Sequence, residues 1–352
     1  MKRSRRRLAS SGLASQDELG AAPPAGGVHG LSGALDRPSA RGLRMSQLVG
    51  STHSPVRQQQ PMGLLWAYLG LSFALAWAAW VPAAVLFRDA QRPGLPAFAG
   101  GLFVLQTLGA AAPTIAAQLV LRAGGRRDLL AWTASRYRLW RVHPAWYLVA
   151  GLLTPAITLL SLGLRALVDP HFQVAPGSPL GELLADLGVG GVALVFPLLI
   201  LAFLPSSALL EEFGWRGLAL PLLQGRWNAL AASVLLGLVW GVWHLPLMVA
   251  TGDPPVGYLL LIVPHTVLMT WVVNSTRGSM LLALLFHAGL ATALTTLYPG
   301  SRSRVEIVLT WLVAAAVLVR YGPRDLARHH RVQLPEGGDR HVQAPSPAAR
   351  RS

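Results

Sequence analysis

The run Val189-Gly190-Gly191-Val192-Ala193-Leu194-Val195-Phe196-Pro197-Leu198-Leu199-Ile200-Leu201-Ala202-Phe203-Leu204-Pro205-Ser206-Ser207-Ala208-Leu209-Leu210 leads without a charge into Glu211-Glu212-Phe213-Gly214-Trp215-Arg216. It is long enough to cross a hydrocarbon layer, which takes roughly 20 residues of helix. A carboxylate pair at its end is costly at that depth unless paired or hydrated, which marks it as a candidate site.

Working outward, similar apolar blocks recur over about 64–87, 98–121, 145–168, 229–250, 257–273, 279–297 and 305–319. The composition agrees. Of the 352 residues, 53% are hydrophobic and 13% charged, where a soluble domain carries roughly 25% charged residues. Mean hydropathy is +0.45. The reading is an all-α, polytopic transmembrane helix bundle of about eight spans. A transmembrane domain over 62–320 is flanked by an extension, 1–61, and a basic tail, 321–352, both expected to be disordered. The basic run Lys2-Arg3-Ser4-Arg5-Arg6-Arg7 is not followed by the apolar stretch of an export signal, so no cleaved signal is expected.

The net charge of +15 sits at the two ends and in connections such as Arg122–Arg141, Arg216–Arg226 and Arg277. That distribution fits cytoplasmic segments of a membrane protein, with both termini cytoplasmic. Trp132, Tyr137, Trp140 and Trp146 suit the headgroup level. Nucleic acid is not expected as a partner, because no binding motif accompanies the charge. With no cysteine, disulfides, Cys-ligated zinc and thiol catalysis are excluded.

Three apolar segments stand out for their ionisable residues: Glu211 and Glu212, then His244 after Trp240, then His287. On a helix Glu212 faces Arg216 four residues on, so an ion pair is expected. Glu211 points about 100° away from it and lacks that partner, leaving it available as a general base. Gly237, Gly241 and His244 share a face on which glycines admit a neighbouring helix. Ala283 and Ala291 give His287 a similarly narrow stripe. His265, behind Pro264, is read as structural. A carboxylate and two imidazoles from three spans can activate water or bind a divalent metal such as zinc. The chain has no HExxH helix, GxSxG elbow or phosphate loop.

These motifs resemble the CPBP family, the CAAX-protease and bacteriocin-processing group of intramembrane endopeptidases. That family's pattern is EExxxR, an aromatic four residues before a His, and a second His followed at +4 by Asn or Asp. Here the residues are Glu211-Glu212-Phe213-Gly214-Trp215-Arg216, then Trp240 and His244, then His287, over about 201–296. Two departures stand out. Trp240 replaces the more usual Phe, and Ala291 occupies the +4 position, with Thr292 turned further round the helix. The resemblance implies that Glu211 and His244 activate water and that Arg216 holds Glu212. It also implies that His287 stabilises the oxyanion, or joins Glu211 and His244 as a metal ligand if a metal is used. The expected partners are the lipid bilayer and a membrane-associated or C-terminal peptide, and the expected setting is a bacterial cell membrane. Two other readings are a catalytically inactive scaffold or bacteriocin-immunity protein, and a transporter.

Overall fold

A computed structural model of the chain describes residues 62–86, 96–175, 177–251, 255–297 and 303–335. The expected extension, 1–61, and the end of the expected tail, 336–352, lie outside the described residues. The helices follow in chain order: α1 (Met62–Leu86), α2 (Pro96–Ala123), α3 (Arg127–Ser135), α4 (Ala145–Val168), α5 (Pro179–Ala202) and α6 (Leu209–Gly214). After them come α7 (Leu220–Gln224), α8 (Ala229–Trp243), α9 (Leu245–Thr251), α10 (Pro255–Ser275), α11 (Met280–Ala291) and α12 (Arg304–Tyr321). No strand occurs among the described residues.

Among these residues, five helical segments are long and apolar enough to cross a membrane: Met62–Val85, Phe103–Ala123, Ala145–Val168, Pro179–Ala202 and Pro255–Ser275. Ala229–Trp243 and Met280–Thr296 are apolar but shorter. The chain is a multi-pass membrane protein. Its outer surface is apolar, with Leu194 and Val319 80% and 88% exposed. Side chains of that kind belong against lipid rather than water.

Local chemistry explains most boundaries. Ser178 and Asn228 cap α5 and α8, accepting from the N–H of Gly181 and Ala231 at 3.1 and 2.8 Å. Ser279 and Ser303 cap α11 and α12 in the same way. The block expected to run unbroken into Glu211 is instead interrupted. Beyond α5 the chain opens into a π-helical turn at Leu204–Ala208, and a second at Trp215–Ala219 follows α6. Pro205 lies in the first of these turns and has no N–H to offer the preceding helix. Likewise α8 stops at Trp243, where Pro246 disfavours continued helix, and His244 marks the break.

Glycine lets the inner helices meet. A Cβ at Gly237 would lie 3.0 Å from the Val263 Cα on α10, and one at Gly241 would collide with Leu259. On α11, a Cβ at Gly289 would lie 2.5 Å from the Gly151 carbonyl oxygen on α4. The core also holds four tryptophans, Trp80, Trp215, Trp240 and Trp243, each no more than 2% exposed.

The arginine-bearing connections gather at one end. Arg136 donates to the Arg277 carbonyl, Ser279 Oγ to the Leu139 carbonyl at 2.6 Å, and Ala229 N to the Arg324 carbonyl at 2.9 Å. The first part of the segment read as a disordered tail, 321–335, is packed, with Leu326 fully buried and Val332 and Leu334 nearly so. Two buried amides hold it. Asn274 Nδ2 donates to Gln224 Oε1 at 2.7 Å and to the Asp325 carbonyl at 2.8 Å. Gln224 Nε2 donates to the Val332 carbonyl, and Val332 N donates to Asn274 Oδ1. Composition gave no sign of this, because the partners are backbone groups.

Gly289→Ala forces a methyl against backbone and is expected to cost about 1–3 kcal/mol, seen as a lower melting temperature in detergent. Gly163→Ala, whose added Cβ meets nothing within 4 Å, is expected to melt at or slightly above the parent temperature.

Candidate active site

The carboxylate pair lies on α6, between the two π-helical turns, and both side chains are buried, Glu211 at 2% and Glu212 at 0% exposure. Arg216 Nη1 donates to Glu212 Oε1 at 2.9 Å, and both side chains are sealed from solvent. Arg216 is therefore not a loop cation, as its grouping with the Arg216–Arg226 segment assumed. It lies inside the bundle, with its guanidinium carbon 4.3 Å from the centre of the Trp240 ring. That contact faces the charge with a π-surface, a favourable substitute for water.

Glu212 has a second partner that helical spacing cannot show. His287 Nδ1 lies 2.7 Å from the same Oε1. An ionised carboxylate can only accept, so the hydrogen sits on Nδ1 and Nε2 is left for other work. Glu212 thus joins α6 to α11 while Arg216 balances its charge. Glu211 turns the other way and accepts a hydrogen bond from Trp240 Nε1 at 2.9 Å, a neutral donor rather than a counter-ion.

His244, at the break after α8, has its Nδ1 2.8 Å from the Trp240 carbonyl. A carbonyl accepts, so Nδ1 carries the hydrogen and Nε2 keeps a lone pair. Aromatic rings surround it: Trp80 stacks at 5.6 Å, Trp243 meets it edge-on at 4.7 Å, and Tyr258 lies at 5.4 Å. His287 interacts electrostatically with both Glu211 and His244.

These groups meet at a cavity of about 380 Å³ whose wall includes Glu211, Trp240, His244 and His287. Glu212 and Arg216 lie behind that wall. Leu210, Leu247, Leu290 and Leu294 give it an apolar lining, while Gln106, Ser207, Tyr258 and Thr295 add polar groups. Ala291 presents only a methyl there. Thr292 is elsewhere, its hydroxyl donating to the Ala288 carbonyl at 2.9 Å. His265 is buried, with Nδ1 2.7 Å from the Leu261 carbonyl, and is not part of the wall.

No three His, Asp or Glu side chains form a metal-holding group among the described residues, while both imidazoles engage Nδ1 and leave Nε2 free.

Sequence reasoning missed the Trp240–Glu211 bond and the Glu212–His287 bond. It also missed Tyr68, which packs edge-on to Trp215 at 5.7 Å and interacts with Glu212 and Arg216. The indole N–H of Trp240 was legible as a donor, and its departure from the usual Phe was the available signal.

The fold and the site define a class: a multi-pass membrane helix bundle with carboxylates and imidazoles around an internal cavity. Residues 193–293 match the family described as Type II CAAX prenyl endopeptidase Rce1-like. CAAX prenyl protease 2 of Methanococcus maripaludis is 29% identical over 184 residues, which make up 49% of this chain and 64% of that protein. The chain thus spans just under two thirds of the length of this relative. Through this shared segment it is similar to the CAAX-protease, or CPBP, family.

Glu212→Ala would strand the Arg216 charge in the core. A loss of about 3–5 kcal/mol is expected for such a broken buried pair, read as a large drop in melting temperature in detergent. Glu211→Gln, which keeps the side-chain volume and an acceptor for Trp240, is expected to melt near the parent temperature.

Proposed function

We propose that this protein is an intramembrane endopeptidase that hydrolyses a peptide bond in a membrane-associated or C-terminal substrate. The observation that supports this reading is the convergence of Glu211, His244 and His287 on one largely apolar cavity within the bundle. The similarity to CAAX-type proteases over the shared segment points the same way.

In this mechanism a water sits between Glu211 and the free Nε2 of His244. Its oxygen attacks the scissile carbonyl carbon while its proton passes to the Glu211 carboxylate, as in general base catalysis. The carbonyl oxygen becomes an oxyanion. His287, when protonated on both nitrogens, donates to it from Nε2 while Glu212 accepts from Nδ1. Donors fixed beforehand in a site of low dielectric stabilise such charge strongly. Glu211 then returns the proton to the leaving amine nitrogen, and the C–N bond breaks. Trp240 fixes the carboxylate through Oε2, so the other oxygen faces the water. The leucine-lined wall suits an apolar group on the substrate, and the prenyl substrate class named for the archaeal relative is one such group.

A second reading, a non-catalytic scaffold, draws on Ala291. The methyl there leaves the cavity without the polar side chain that the family pattern places beside its second His.

Cleavage of a peptide library by protein in liposomes separates the two readings. For the protease, Glu211→Gln and His244→Ala are expected to lower turnover about 10²–10⁴-fold, with melting temperatures near that of the parent. Equal inertness of parent and variants would favour the scaffold. Trp240→Phe keeps the ring and removes only the N–H. A hydrogen bond to a charged group is worth about 1.5–3 kcal/mol, so kcat is expected to fall roughly 10- to 100-fold with KM little changed.

A further inference from the structure

A second cavity, of about 470 Å³, lies at the arginine-bearing end, among α4, α10, α12 and the packed segment after α12. Three aromatic rings form a row along it. Trp146 and Trp271 are 5.1 Å apart, and Trp271 and Tyr321 are 5.8 Å apart. No carboxylate lines it.

Its polar groups are almost all donors. Trp271 Nε1 and Ser275 Oγ are shielded from solvent and have no hydrogen-bond partner among the described residues. An indole N–H cannot accept, so it needs an acceptor from outside the wall. Ser275 is telling by contrast. Thr266 and Thr270 on the same helix, and Thr276 just beyond its end, donate to the carbonyl four residues back, while the Ser275 hydroxyl makes no such bond. Leaving a shielded donor unmade is destabilising. Arg328 lines the cavity and forms no ion pair among the described residues. Nearby Asp325 is engaged by Arg331 at 3.4 Å. His329 is fixed by its Nε2, 2.6 Å from the Asn274 carbonyl, and Arg320 lies over the Tyr321 ring at 5.3 Å.

Unmet donors, an unpaired guanidinium and no competing carboxylate describe an anion site. Arg and hydroxyl donors suit phosphate oxygens in particular. The aromatic row adds a wall for apolar carbon, the arrangement found where a side chain spans lipid and headgroup levels. We propose that this cavity binds a phosphate group, with Arg328, Trp271 Nε1 and Ser275 Oγ as its donors. The aromatic row makes a phospholipid headgroup the favoured source over free phosphate.

The test uses the full chain, purified in detergent, with its melting temperature read as ligands are added. The probes are phosphatidylglycerol, diacylglycerol of the same acyl chains and inorganic phosphate. Phosphatidylglycerol in large excess is expected to raise the melting temperature by about 4–8 °C, and diacylglycerol is expected not to. Arg328→Ala, an exposed change, and Trp271→Phe, which keeps the ring, are each expected to weaken phosphatidylglycerol binding at least fivefold by native mass spectrometry. Their melting temperatures without lipid are expected to match the parent. A rise with inorganic phosphate alone would assign the site to the free anion. Equal effects of phosphatidylglycerol and diacylglycerol, or undiminished binding by both variants, would overturn the proposal.

Discussion

One oxygen atom ties the interior together. Glu212 Oε1 receives both the Arg216 guanidinium and the His287 imidazole, at 2.9 and 2.7 Å. A carboxylate with no contact to solvent is tolerable only with such partners, because an unpaired charge at this depth costs several kcal/mol. Satisfying it fixes the rotation of α6 and α11 relative to each other. That rotation turns Glu211, the adjacent residue, toward the opposite side, where Trp240 and His244 wait on the α8 end. The pair thus divides its labour. One carboxylate holds the framework, and the other is left facing the cavity.

Trp240 links the two halves of this arrangement. Its N–H holds Glu211, its ring face covers Arg216, and its edge contacts both imidazoles, at 5.6 Å from His244 and 5.4 Å from His287. A phenyl ring would supply the packing without the directed hydrogen bond. The departure from the usual family residue is therefore a change of chemistry as well as of size.

Much of the architecture was readable because charge is so rare in the apolar blocks. Glu211, Glu212, His244 and His287 stand out for that reason, and the spacing of Glu212 and Arg216 directly implies their contact. What lay hidden was the rotation of one helix against another. Helices such as α8 and α10 are apolar on every side, since lipid and protein core both accept leucine, so periodicity does not say which face is inward. The Glu212–His287 and Trp240–Glu211 bonds depend on that rotation. The breaks at Leu204–Ala208 and after Trp243 follow from prolines that a reading by block length passes over. Residues 321–335 were hidden differently, because polar composition cannot reveal bonds made by main-chain groups to Gln224 and Asn274.

That last feature bears on how the chain is completed during synthesis. The Gln224 and Asn274 side chains point into what becomes a dry layer, and beyond their bonds to each other their partners lie at Asp325 and Val332. Those residues leave the ribosome only after the twelve described helices have done so. Until then the remaining donors and acceptors of the two amides have water or each other as partners. Closure of that end therefore waits for the last described segment of the chain to be made.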